Sequence, residues 1–418
     1  MFRVAWVGGR PAPIAGAKEL GIDVVLVHQE GQYEPAILAH CERVVHAPLA
    51  DGDAIVDVLR PLHAERPFDR IMTTSEPFGI STGHAVDAFG LPGVGEAVAR
   101  ALKDKSRTRE LLEKHDVSPV RYRVVRGVEE TVAFLTEIGG PIVVKPIDGA
   151  ASRHILPVAD SVDARRAWVR LGDVGIGTAL AEEFLPGPVV SVESFSFGGR
   201  HVPVGYSEYQ VNERFVEWAV TTPSRLAQPY LSELRELTVR LLDVVGLPEG
   251  PSHSEFVLTS DGPRVLESHA RLGGHALPHL VRRAYGPDFA RMMLTVPLGI
   301  EQLPAEPPEP VGGASIRFFT PRPGRVASID IDPGLDAVVR RTPLGESTDV
   351  YLPYLDELRD AEVGVAIAKN PGDVVQPLLT LSDCSSGYVI ASGRDATEAE
   401  ERCATVAAQV RFTIEGST

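Results

Sequence analysis

Ser252-His253-Ser254-Glu255-Phe256-Val257-Leu258-Thr259, the turn Ser260-Asp261-Gly262-Pro263, and Arg264-Val265-Leu266-Glu267-Ser268-His269-Ala270-Arg271 form one continuous stretch. Two strand-like runs flank a glycine–proline turn, so the stretch reads as a β-hairpin. With the turn centred on Asp261, Glu255 and Glu267 stand opposite each other on one face. Cross-strand Cβ atoms lie about 4.5–5.5 Å apart, a spacing at which like charges repel. A cation relieves that repulsion, and Mg²⁺ in phosphoryl-transfer sites commonly takes one or two carboxylates plus phosphate oxygens. His269 falls two residues after Glu267, on the same face, and offers a nitrogen. Arg271, two further on, presents a fixed fork of donors to a phosphoryl or carboxylate oxygen. Taken alone, the hairpin also fits a solvated face sharing charge among Glu255, Glu267, His269 and Arg271, or a glycosidase-type carboxylate pair.

Upstream, the apolar run Pro141-Ile142-Val143-Val144 ends in Lys145. A lysine there is costly to bury without an anion, and a phosphate would serve; a snorkelling surface lysine is the plainer alternative. The small, polar turn Asp148-Gly149-Ala150-Ala151-Ser152-Arg153 follows, of the kind whose backbone N–H groups fold over phosphates. Lys105 opens a charged helix over 104–115, with Asp104 as its N-cap and Leu111 and Leu112 facing inward. Ala181-Glu182-Glu183-Phe184-Leu185-Pro186-Gly187 reads as a strand turning into a bend, where exposed backbone groups can read a base edge.

The first hundred residues alternate apolar strands (3–7, 24–27, 70–72) with helical stretches such as 54–63, the pattern of βαβ units. Gly8-Gly9-Arg10-Pro11 lacks the dinucleotide-binding spacing. The expected organisation is a Rossmann-like domain over 1–103, an α+β lid over 104–180, a catalytic subdomain over 181–303, and a strand-rich α+β C-terminal subdomain over 311–418. The run Pro304-Ala305-Glu306-Pro307-Pro308-Glu309-Pro310 is an extended connector between the last two. In the terminal helix, read over 395–410, Ala399, Cys403, Val406 and Val410 form an apolar stripe that belongs to a core.

The formal net charge of −16 argues against nucleic-acid binding. Three scattered cysteines, Cys41, Cys384 and Cys403, neither build a disulfide framework nor a thiolate zinc site. The absence of a long apolar run and of a signal-like N-terminus leads to the expectation of a cytoplasmic protein without membrane partners.

In chain order these pieces resemble the ATP-grasp superfamily, most closely its carboxylate–amine ligase branch, which includes the L-amino acid ligases. Phe89-Gly90-Leu91-Pro92-Gly93 with Asp104-Lys105 is similar to the segment leading to the family's first nucleotide lysine, and Val144-Lys145-Pro146 to the strand carrying the second. Glu182-Glu183-Phe184-Leu185 resembles the adenine hinge, Ser191-Val192-Glu193 the strand after it, and Arg271 with Gly273-Gly274 the turn near the transferred phosphate. The resemblance implies an ATP- and Mg²⁺- (or Mn²⁺-) dependent, ADP-forming ligase. ATP would be held by Lys105, Lys145, Ser152 and the 182–185 hinge, metal by Glu255, Glu267 and His269, and substrates by His253, Arg271, Gly273, Gly274 and His275. Arg271 and Lys145 would be catalytic. Two departures stand out: Val189 replaces the usual acidic ribose ligand, so that contact either shifts to Glu193 or is lost, and His269 replaces the usual asparagine, either as a metal ligand or facing the substrate. The implied partners are a small-molecule carboxylate and an amine; a symmetric homodimer is the expectation only from the general frequency of such assemblies. Alternatives are a relative forming another bond, biotin-carboxylase-like or purine-pathway-like, and a non-catalytic ATP-binding module.

Overall fold

The computed structural model describes residues 1–9, 11–33, 35–149, 153–346, 348 and 352–416. Its N-terminal unit is a parallel four-stranded sheet in the order Arg43–His46, Asp23–His28, Arg3–Val7, Arg70–Met72. Alternate residues of its central strands go to opposite faces, as strand geometry requires. Val4, Trp6, Val24 and Leu26 pack with Ile14 and Ala17. Ala5, Val7, Val25 and Val27 pack on the other side with Ile55, Leu59 and Val86, which come from the helices Gly52–Glu65 and Gly79–Phe89. This is the expected Rossmann-like, doubly wound layer.

The helix Lys105–Lys114 starts where expected, because the Asp104 carboxylate accepts from Ser106 N at 3.0 Å and Arg107 N at 3.2 Å. Leu112 is buried and Leu111 partly so. A small antiparallel sheet follows, ordered Tyr122–Val125, Ala179–Glu183, Ile142–Pro146, Leu156–Val158, with its own core against the helices Val128–Ile138 and Ser161–Gly172. The boundary drawn at residue 180 therefore cuts a strand. Ala179–Glu183 pairs with both Tyr122–Val125 and Ile142–Pro146, so the lid sheet is complete only at Glu183.

The centre of the molecule is a nine-stranded sheet in the order Gly262–His269, Glu249–Thr259, Val189–Phe197, Arg200–Val211, Glu217–Thr222, Gly313–Phe318, Gly387–Gly393, Val363–Ile367, Val338–Arg341. The last four strands lie beyond the proline run. That run is thus no boundary in space: Glu217–Thr222 would otherwise end in an open edge, and Gly313–Phe318 closes it, with Thr221 opposite Ser315. The terminal helix Ala396–Ala408 buries Ala399, Cys403 and Val406 as expected, but Val410 begins the strand Val410–Ile414. Cys384 and Cys403 are buried and all three cysteines are free. Among the described residues, no helix is long and apolar enough to cross a membrane.

The hairpin is formed, with Glu255 opposite Glu267 and His253 opposite His269. The turn itself is tighter than expected, since Thr259 pairs with Gly262 and Phe256 with Val265. A bulge at Leu266 shifts the register by one and restores the carboxylate pair. Bulges re-aim side chains in this way beside functional sites.

Candidate active site

The carboxylate pair is not left bare. His253 Nε2 lies 3.1 Å from Glu255 Oε1, and His269 Nε2 lies 3.0 Å from Glu267 Oε1. The two rings, opposite in register, are nearly parallel, with centroids 6.4 Å apart. Glu193, on the neighbouring strand, bonds His253 Nδ1 at 2.6 Å. Burial works against a charge on His253, but Glu193 and Glu255 raise its pKa to about 10, so it stays an imidazolium between two carboxylates. Glu193 is consequently buried and committed to His253, which removes it from the ribose role the sequence suggested.

Both lysines are buried, contrary to a surface reading. Lys105 Nζ donates to Gly149 O at 2.6 Å and lies 3.3 Å from Glu267 Oε2. Although burial opposes it, Lys105 and His269 hold the Glu267 carboxyl well below the ordinary range, so it is ionised. Lys145 Nζ pairs with Glu182 at 2.6 Å, so a protein carboxylate, rather than a phosphate alone, compensates its burial. Glu182 also takes Arg109 Nε at 2.5 Å. Despite its burial, these two cations hold it at about 2. The Arg109 guanidinium then reaches Val265 O at 2.8 Å and Leu266 O at 3.2 Å, which ties the hinge to the bulge that aligns the carboxylates. Sequence reasoning missed Arg109, because only the tertiary fold brings it to residues 182 and 265.

At the hinge, Glu183 N donates to Arg121 O at 3.0 Å and Phe184 N to Pro141 O at 3.1 Å, so both amides brace the bend. The Glu183 carboxylate accepts from Arg121 N at 2.9 Å. Gly187 has φ of +149°, and a Cβ there would fall 2.1 Å from Leu258 O, so the bend lies directly on the central sheet. Ser152 lies outside the described residues.

Just past the end of the hairpin, Arg271 Nε donates to Glu76 Oε2 at 2.8 Å, and Lys103 Nζ holds Glu76 Oε1 at 2.9 Å. Burial would raise Glu76, yet Arg271, His269 and Lys103 bring it to about 2. Glu76, His269 and Arg271 line a cleft whose other walls include Ile71, Met72, Val94 and Met293. Glu76 was not singled out from the sequence; it stands in the connection after Arg70–Met72, with nothing nearby to mark it. His253 does not line this cleft. A Cβ on Gly273 would fall 2.7 Å from Glu193 Oε2 and 3.0 Å from His253 Nδ1, which explains a glycine there; Gly274 faces open space. His275 is buried in the left-handed region at φ +49°, its Nε2 3.2 Å from Glu217 Oε2. Burial lowers His275 to about 3, whereas burial and Glu255 raise Glu217 to about 8. Glu217 is a second carboxylate that the sequence did not reveal.

Two opposed carboxylates with a lysine close by fit a divalent cation that also binds polyphosphate. Among the described residues, no three His, Cys, Asp or Glu side chains converge as a ready-made metal site, so phosphate oxygens would have to complete the shell.

Three family descriptions match the chain: an ATP-grasp N-terminal domain at residues 14–93, an ATP-grasp domain at 138–279, and an L-amino acid ligase C-terminal domain 2 at 355–415. Alanine–anticapsin ligase of Bacillus subtilis is 26% identical over 252 residues, 54% of this chain and 53% of that protein. Carnosine synthase 1 of Gallus gallus is 26% identical over 354 residues, 78% of this chain and 38% of that protein. The chain thus spans about half the length, or less, of these curated relatives. The crystal structure of an L-amino acid ligase from Bacillus licheniformis superposes with a TM-score of 0.76 at 22% identity, covering 100% of this chain and 99% of that one. The matched segments carry the Rossmann-like layer, the lysine strand with its hinge and hairpin, and the C-terminal strands in family order, and the chain belongs to the ATP-grasp superfamily.

Proposed function

We propose that this protein is an ATP-dependent carboxylate–amine ligase, activating a small acid, an amino acid by preference, as an acyl phosphate and passing the acyl group to an amine. The observation that carries this reading is the joining of two half-sites along one hairpin, with His269 beside both Glu267 and Glu76. Glu255, Glu267, Lys105 and Lys145 form the nucleotide side. Arg271 and Glu76 form a charged pair in an otherwise largely apolar cleft, which complements a carboxylate and an ammonium on one small molecule.

Glu255 and Glu267 would hold Mg²⁺ or Mn²⁺, with His269 beside Glu267; bound there, the ion supplies neutralisation of phosphate charge. Lys105 and Lys145 neutralise further oxygens, as phosphoryl transfer relies on positioning and electrostatics. Arg271 orients the acid so that its oxygen attacks the γ-phosphorus while the bond to the β-phosphate oxygen breaks and ADP leaves. The amine nitrogen then forms the new bond to the acyl carbon, the C–O bond to phosphate breaks, and the amine releases a proton. The buried Arg109–Glu182–Lys145 cluster keeps the hinge and hairpin in register throughout. The experiment is ADP release across a panel of acids and amines. Turnover requiring both organic substrates supports the ligase; turnover on bicarbonate alone, or none with any pair, refutes it.

A further inference from the structure

Several of the polar groups around the acid-side cleft are paired within the protein. Glu76 holds Lys103 and Arg271, and Glu249 holds Arg70 Nε at 2.9 Å. Thr73 Oγ1 donates to Val7 O at 2.7 Å, and Ser81 Oγ, on the same helix as Thr82, donates to Leu49 O at 2.6 Å. Thr82, in the wall of the cleft, is 4% exposed, and its Oγ1 has no hydrogen-bond partner among the described residues. A helical threonine ordinarily satisfies its hydroxyl on the carbonyl four residues back. Here the Thr82 hydroxyl makes no such bond, although Phe78 O lies in the expected place, with Ser81 Oγ 3.1 Å from it. Leaving a buried hydroxyl unsatisfied costs about 1–3 kcal/mol, so a partner from the ligand is the economical resolution. A charged side chain is disfavoured there, because Ile71, Ile80, Val94 and Leu102 line the space.

We infer that Thr82 determines acid specificity: its hydroxyl, both donor and acceptor, bonds a neutral oxygen or nitrogen on the substrate's side chain. The enzyme then prefers an amino acid with an uncharged polar side chain over its hydrocarbon isostere. This rests on the ligase reading above.

The test uses the full-length enzyme with ATP, Mg²⁺ and hydroxylamine, which displaces phosphate from the acyl phosphate to give a hydroxamate. The acids are isosteric pairs of increasing reach: valine and threonine, norvaline and homoserine, norleucine and O-methylhomoserine, 4-methylphenylalanine and tyrosine. In at least one pair the polar member is expected to have about tenfold higher kcat/KM, the size of one buried hydrogen bond. Thr82→Val should erase that preference, and Thr82→Ser should retain it. Equal or better use of the hydrocarbon in every wild-type pair overturns the inference, whatever the variants do. So does a preference that survives Thr82→Val. Hydroxamate from many acids without such discrimination defeats this inference alone; hydroxamate from none defeats the ligase reading and the inference with it.

Discussion

The ionised side chains of this site differ in what they do for folding and in what they offer a ligand. Glu267 lies between Lys105 and His269, and Glu267→Gln should lower ATP turnover by about 100-fold or more while far-UV circular dichroism stays unchanged. Glu182 is different, because its removal leaves Arg109 and Lys145 as unmatched buried cations. Glu182→Ala should cost about 3–5 kcal/mol in denaturant unfolding, with loss of activity following loss of structure. Glu217 gives a pH signature. Its carboxyl is raised in the fold to about 8 by burial and Glu255, with Glu267 in the same sense and His253 and Arg271 opposing, and His275 contacts it. A raised acid lends stability below its unfolded value that is lost as pH climbs through the folded value. The melting temperature of the ligand-free protein should therefore fall between about pH 5 and 8 more steeply in the wild type than in Glu217→Gln. Equal slopes would show that Glu217 is already ionised at neutral pH. Glu255, Glu267, Lys145 and Arg271 could be picked out beforehand because residue type and spacing mark them. Glu76, Glu217 and Arg109 could not, since each acquires its partners from segments remote in the chain.

Two local elements set the geometry that these residues need. The Asp104 cap fixes the start of the helix that carries Lys105, and Asp104→Ala should cost about 1 kcal/mol and weaken ATP binding, as read by titration calorimetry. Gly187 lets the hinge rest on the carbonyl of Leu258. Gly187→Ala must push the hinge off the sheet, so nucleotide affinity should drop while the melting temperature of the lid and core changes less. Hairpin and hinge were legible as strand, turn and bend from local pattern. The bulge at Leu266 was not. The expected pairing of Glu255 with Glu267 came out right although the turn is one residue tighter, because Arg109 holds the carbonyls of Val265 and Leu266 and thereby supports the extra residue.

Across the whole molecule, the nine-stranded sheet makes the C-terminal region part of the same body as the hairpin. A chain ending at residue 303 would expose the Glu217–Thr222 edge and the apolar surface that Ala314, Ile316 and Ile390 cover. It should aggregate in size-exclusion chromatography, as open edge strands do; a soluble, monodisperse product would show that the central sheet does not need these strands. The strands Arg200–Val211 and Glu217–Thr222, on which this continuity depends, were not anticipated, and the proline run suggested a separation that is absent in space. By itself the sequence determined the Rossmann-like layer, the lysine strand, the hinge and the opposed carboxylates, because periodicity, caps and turn residues act over a few neighbours. Tertiary structure alone decided which charges meet. It paired Lys145 with Glu182, withdrew Glu193 to His253, set Glu76 against Arg271 and left the Thr82 hydroxyl without a partner among the described residues, since burial and ion pairing depend on contacts between segments that local pattern does not encode.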